Sequence, residues 1–292
     1  MNISFFEKVW QQRLQDISVI ANNIEYSYAE LIASLEKSKN FVAKHIRTGE
    51  VVSLEAEFSR DSITMFLALI EKNAIIVPIS SRVSHAKREE FLQVGLVEKR
   101  IIHVEDDAPL RFETTQCMAS HAYYDQLRQE NHPGLVLFSS GSTGKSKAAV
   151  HDFFPLLQKY ANGGRTARIL SFLLFDHIGG INTLFHTLAS GGTVVIPGVD
   201  RQVEDVCKLI ERHRVEILPT SPTFITLLIM SEIYKKYDLS SLKVVTYGTE
   251  VMNATILKFV FERTPISKEY SLEGATLLKF LLVRFDLIFL EY

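Results

Sequence analysis

Residues 135–150 read Leu135-Val-Leu-Phe138, then Ser139-Ser-Gly-Ser-Thr-Gly-Lys-Ser-Lys147, then Ala148-Ala-Val150. An apolar run of strand length enters a segment built almost wholly of Gly, Ser, Thr and Lys, and a second short apolar run leaves it. Small residues let backbone N–H groups close around an anion, hydroxyls add donors, and lysines add positive charge. That composition suits a phosphate grip; its plainer alternative is a flexible Gly/Ser surface loop. Gly144-Lys145-Ser146 invites comparison with a Walker A loop, which requires glycine where this chain has Ser139. A Walker loop also opens directly into a helix, whereas Lys147-Ala-Ala-Val150 reads as a strand.

Working outward, the flanks alternate strands with helices. Residues 4–20 have helical apolar spacing, 22–25 form a turn, and Ile24 to Tyr28 makes a short strand. Ser27 precedes a helix to Ile46, Val51 to Leu54 is a buried strand, and Asp61 caps a helix over 62–72. Strand 74–78, helix 87–94 and strand 100–104 continue the series, followed by an irregular polar stretch over 105–133. Beyond the loop, Asp152 caps a helix to about 162, and Arg168 to Phe175 is a strand. Helix 181–188, strand 193–196, helix 203–213, strand 216–218, helix 222–230 and strand 243–247 follow. This alternation predicts an α/β protein with helix-covered, mostly parallel sheets. The expected organisation is a first α/β subdomain over 1–130, a second over 131–264 that holds the phosphate loop, and a divergent tail over 265–292.

Composition sets the outer bounds. The 292 residues carry a net charge of −2, with 47% apolar and 23% charged residues, which describes an ordinary globular protein and points to neither nucleic acid nor an anionic membrane. No run of about 18 apolar residues free of charge is present; the closest, Ala275 to Leu290, is broken by Lys279, Arg284 and Asp286. The N-terminus lacks the order of a secretory signal. Cys117 and Cys207 match no metal or redox spacing, so two buried free thiols in the cytoplasm are expected.

The segment Ser139 to Lys147 resembles the signature loop of the adenylate-forming (AMP-dependent synthetase and ligase) superfamily, which includes acyl-CoA synthetases, peptide-synthetase adenylation domains and luciferases. In that pattern the loop ends in a Pro-Lys pair, and this chain departs from it at Ser146. Companions occur in the family's order: Glu25 to Leu31, Gly49 to Leu54, Ile75 to Pro78, Phe175-Asp-His-Ile-Gly-Gly180, Gly191 to Val195, and Tyr247-Gly-Thr-Glu250. The resemblance spans residues 1 to about 262 and implies the family's N-terminal domain, two stacked, mostly parallel sheets covered by helices.

What the resemblance implies chemically is ATP-dependent conversion of a carboxylic acid to an acyl-adenylate, with passage of the acyl group to coenzyme A or a carrier-protein thiol. ATP and Mg2+ are implied with it. By this reading Ser139, Ser140, Gly141, Ser142, Thr143, Gly144 and Lys147 hold the phosphates, while Tyr247, Gly248, Thr249 and Glu250 flank the adenine. Asp176, His177, Gly179 and Gly180 line the acid pocket. His177 has the alternative of a helix cap. Asp176 leaves open the amino-acid-activating branch, in which an Asp pairs with the substrate ammonium, although His177-Ile-Gly-Gly180 fits the acyl pattern over more positions. The family's later motifs are missing. Only Glu269-Tyr-Ser-Leu-Glu-Gly274 echoes the Mg2+ segment, with Glu273 as its metal candidate, and neither the ribose clamp nor the C-terminal domain with its lysine is found. The expectation is a truncated member, whose activity stands against the alternative of a non-catalytic nucleotide- or acyl-binding remnant.

Overall fold

The computed structural model describes residues 3–102, 105–140, 146–198 and 200–248. Contacts divide the chain into two units, one from residues 1–167 and 173–196 and the other from 168–172 and 197–292. The strands form mixed, mostly parallel sheets flanked by helices.

The first unit begins with α1 (Ser4–Gln11), which is followed by β1 (Ile17–Ala21) and β2 (Ile24–Ser27). The helix expected over 4–20 therefore stops at residue 11. Asn22 and Asn23 adopt φ values of 50° and 63°, the left-handed pair of a two-residue hairpin turn, and β1 pairs antiparallel with β2. At β2's end Ser27 caps α2 (Tyr28–His45): its hydroxyl accepts from Glu30 N–H, and the Glu30 carboxylate accepts from Ser27 N–H, a reciprocal capping box. Next come β3 (Val51–Glu55) and α3 (Arg60–Glu71), where Ser59 rather than Asp61 is the cap, paired with Ser62. Asp61 instead accepts from the Ser34 hydroxyl and the Arg60 guanidinium.

The chain continues through β4 (Ile75–Ile79), α4 (His85–Val94) and β5 (Lys99–Ile102). The stretch expected to be irregular contains β6 (Arg111–Thr114) and α5 (Ala122–Glu130). The segment expected to grip phosphate lies between β7 (Gly134–Ser140) and β8 (Ser146–Asp152), and Asp152 caps α6 (Phe153–Gln158) as expected, though the helix ends short of 162. One sheet of this unit has the order β6-β5-β3-β4-β7-β8, parallel at its centre and antiparallel at both edges.

The chain then enters the second unit for β9 (Arg168–Leu170), shorter than the strand expected to reach Phe175. The first unit then adds α7 (Ile178–Ala189) and β10 (Thr193–Val195), which lies parallel to β1. Its core is aromatic: Phe6, Trp10, Tyr28, Phe66, Phe153, Phe175 and Phe185 are all fully buried. Burying each such ring contributes about 1.5–3 kcal/mol. The polar tips are also paired, with Trp10 Nε1 donating to Leu188 O at 3.0 Å and Tyr28 Oη to Gly192 O at 2.6 Å.

The second unit holds α8 (Val203–His213), β11 (Ile217–Thr220), α9 (Pro222–Ser231) and β12 (Val244–Tyr247). Here β9, β11 and β12 run parallel with β11 in the middle. Buried Val206, Cys207, Ile210, Leu218 and Phe224 pack this unit. Both cysteines are free; Cys207 is buried as expected, and Cys117 is only half-buried.

Candidate functional site

The β7–β8 pair is an antiparallel hairpin in register from Gly134 opposite Asp152 to Ser140 opposite Ser146. Gly141, Ser142, Thr143, Gly144 and Lys145 connect the arms and lie outside the described residues. Because a strand and not a helix leaves the segment, the Walker arrangement does not apply. Ser139 sits opposite Lys147, and Lys147 is exposed on an edge strand.

Both ends of this hairpin are fixed. At its base, His132 Nδ1 lies 2.9 Å from Asp152 Oδ2, and the other Asp152 oxygen accepts from Phe154 N–H at 2.9 Å. The His132 ring also stacks on Phe154 with centroids 4.5 Å apart. At the loop end, helix α4 holds both arms. Phe91 stacks on Phe138 of β7 at 4.0 Å and 2°, and Glu90 Oε1 accepts from Ser146 N–H of β8 at 2.7 Å.

The acid-pocket candidates occupy the entry to α7. Phe175 is buried against Phe58 and Phe66, with centroids at 4.6 and 4.9 Å. That anchor turns the chain into the helix and accounts for the early end of β9. Asp176 Oδ2 accepts from Ser80 N–H at 3.3 Å. His177 is the N-cap of α7, its Nδ1 accepting from Gly179 N–H at 2.9 Å. An accepting Nδ1 assigns the proton of the neutral ring to Nε2, and burial pushes the His177 pKa down, which favours that neutral form. Gly179 and Gly180 follow within the first turn. A Cβ at Gly180 would sit 1.9 Å from Leu174 O, so only glycine lets α7 approach this close.

In the second unit, Tyr247 closes β12 opposite Thr220 of β11, and Gly248 follows it with no atom of the described residues within 4 Å of where a Cβ would stand. Thr249, Glu250 and Glu273 lie outside the described residues. Two buried hydroxyls at the carboxyl ends of this unit's parallel strands, Ser171 just after β9 and Thr220 at the end of β11, have no hydrogen-bond partner among the described residues. Carboxyl ends of parallel strands are where open α/β sheets bind ligands. Sequence reading did not single these two out; a hydroxyl directly after a short apolar strand was the available signal.

Among the described residues, one group has ligand atoms close enough for a metal: Glu130, His132 and Asp152, all within 4.8 Å of one another. It borders a cavity of about 480 Å3 also lined by Ile3, Glu71 and Asn73. The base of the hairpin already uses His132 and Asp152 in the bonds described above. No helix among the described residues is long and apolar enough to cross a membrane.

Residues 6–276 match the AMP-binding enzyme family. A plipastatin synthase of Bacillus subtilis is 21% identical over 88% of this chain and 11% of its own length. The 4-coumarate–CoA ligase-like protein 9 of Arabidopsis thaliana is 30% identical over 47% of this chain and 26% of its own. The N-terminal subdomain of Klebsiella oxytoca NpsA superposes with a TM-score of 0.70 at 17% identity, covering 89% of this chain and 70% of that structure. This chain therefore spans only about a tenth of the plipastatin synthase it matches and shares the fold of the NpsA subdomain.

Proposed function

Because the chain belongs to the AMP-binding enzyme family, we propose that it activates a carboxylic acid with ATP for transfer to coenzyme A or a carrier thiol. A carboxylate oxygen attacks the α-phosphorus, the bond from that phosphorus to the bridging oxygen breaks, and pyrophosphate leaves. Positioning and charge neutralisation carry most of such a step. In this reading Ser139, Ser140, Gly141, Ser142, Thr143, Gly144 and Lys147 hold the departing phosphates, and Tyr247, Gly248, Thr249 and Glu250 bound the adenine. Asp176, His177, Gly179 and Gly180 lie toward the acid. Mg2+ would offset the phosphate charge, with Glu273 as its candidate ligand.

The observation that carries the reading is the hairpin: a Ser/Gly/Thr/Lys segment joins two strands held at their base and again at Phe138 and Ser146, which is a frame suited to an anion. The choice of an uncharged acid over an amino acid is supported by Asp176, whose carboxylate already accepts from Ser80 N–H. A carboxylate left facing an acyl chain without a partner would carry a desolvation cost. The cytoplasmic setting suggested by the two free cysteines is part of the same proposal. Pyrophosphate exchange into ATP, run with separate pools of fatty, aryl and amino acids, tests the activation step and the choice of acid. Exchange with the fatty or aryl pool is expected. Exchange only with amino acids would reverse the assignment of Asp176, and ATP binding without exchange would make the chain a nucleotide-binding module.

A further inference from the structure

The contact between Glu90 and Ser146 has no counterpart in any local sequence signal, and it sits where the second arm of the hairpin leaves the phosphate-loop segment. Ser146 is 8% exposed, so its backbone N–H is shielded from water and needs an internal acceptor. Glu90 Oε1 supplies one at 2.7 Å from a different element, α4. The other oxygen, Oε2, accepts from Lys87 Nζ at 2.8 Å. This ammonium, and after it the Ser146 N–H, hold the Glu90 carboxyl down to about 2, so it is ionised throughout the neutral range. The Lys87 partner also balances a charge that would otherwise repel phosphate placed nearby. One residue further along α4, Phe91 stacks on Phe138 of the first arm. A single helix thus latches both arms, one by a ring face and the other by a charge-assisted hydrogen bond.

We propose that Glu90 is a positioning residue for the phosphate site, acting through Ser146 to fix where β8 begins and hence where Lys147 stands. The proposal rests on the nucleotide reading given above. Its chemistry makes a sharp demand: the acceptor oxygen carries most of the effect and the negative charge the smaller part. Glu90→Gln keeps an acceptor, Glu90→Ala removes it, and Ser146→Pro removes the donor while stiffening the backbone at that point.

Two readouts on the full chain separate the claims: amide exchange at Ser146, and MgATP affinity by calorimetry. Glu90→Ala is expected to speed exchange at Ser146 and to weaken MgATP binding about tenfold, the scale of one lost charge-assisted bond. Glu90→Gln should restore most of both. In the Ser146→Pro background, Glu90→Ala should leave MgATP affinity unchanged, because the bond it would break is already gone. Equal loss from Glu90→Ala in both backgrounds overturns the proposal, and so does a Glu90→Gln variant as impaired as Glu90→Ala. Unchanged exchange at Ser146 in Glu90→Ala overturns the latch directly. A wild-type chain that binds no MgATP overturns the nucleotide reading and with it the role of Glu90 there, while the exchange result still decides whether the latch exists.

Discussion

Replacing Gly180 by alanine should destabilise the protein clearly, and the same change one residue earlier should not. A Cβ at Gly180 meets Leu174 O at 1.9 Å, Leu174 C at 2.8 Å and Leu173 O at 2.9 Å, all of them backbone atoms. Ordinary van der Waals contact begins near 3.4 Å, so the first turn of α7 and the chain at 173–174 must part by well over an ångström. Overpacking a close-packed interior costs about 1–3 kcal/mol, and rigid atoms on the far side put this site at the upper end. Alanine recovers at most about 1 kcal/mol through its better helix propensity, leaving a net loss of about 2 kcal/mol. At Gly179 the added Cβ meets Leu173 Cδ1 at 2.5 Å and the capping His177 Nδ1 at 3.1 Å, side-chain atoms that can shift where the backbone beside Gly180 cannot. There the propensity gain roughly cancels the crowding. Thermal unfolding followed by circular dichroism checks this. At about 2.1 cal/mol/K of unfolding entropy per residue over 292 residues, Gly180→Ala should melt about 3–4 °C below the parent and Gly179→Ala within about 1 °C of it. A Gly180→Ala variant as stable as the parent, or two variants equally damaged, would refute the packing argument.

His177→Ala should cost about 1 kcal/mol through loss of the α7 cap, and His177→Asn, which keeps a capping oxygen, should regain most of it; urea unfolding of both variants tests this. Stability should also fall in mild acid. Burial lowers the pKa of His151, His177 and His186, so the unfolded chain binds their protons more readily than the folded one. The stability contributed by the neutral rings is complete above the ordinary imidazole value of about 6.5 and is lost as the pH drops through the lower folded values. Urea midpoints measured from pH 7.5 to 5.5 should decline, and a flat or rising series would contradict this.

How much of this was legible in the sequence depended on how local each cause was. Ser27 ahead of a helical apolar period announced α2, and the polar–apolar period of α8 marked its bounds as 203–213, because both signals lie within a few residues. Isoleucine and valine at 17–20 fit a helix face as well as a strand, and only the left-handed Asn22-Asn23 turn decides for the strand. Similarly, the apolar run 168–175 reads as one strand, yet Phe175 is drawn off to Phe58 and Phe66, partners more than a hundred residues away. The weak elements within 105–133 gain their order from pairing: β6 lies along β5, and Tyr124 of α5 donates to Gly95 O at 2.8 Å. For the candidate site, the loop and the α7 entry were visible as motifs. The groups that hold them, Glu90 on Ser146 and Ser80 on Asp176, join positions 56 and 96 residues apart, and no motif carries such a pairing.

Whether the hairpin around Ser139 to Lys147 holds the phosphates of ATP is tested most directly by calorimetric titration of MgATP into the parent chain and into Lys147→Ala. Saturable binding to the parent is expected, weakened about tenfold or more in the variant by loss of a charged contact to phosphate. An affinity unchanged by Lys147→Ala, or no saturable binding to the parent, would contradict that role for the hairpin.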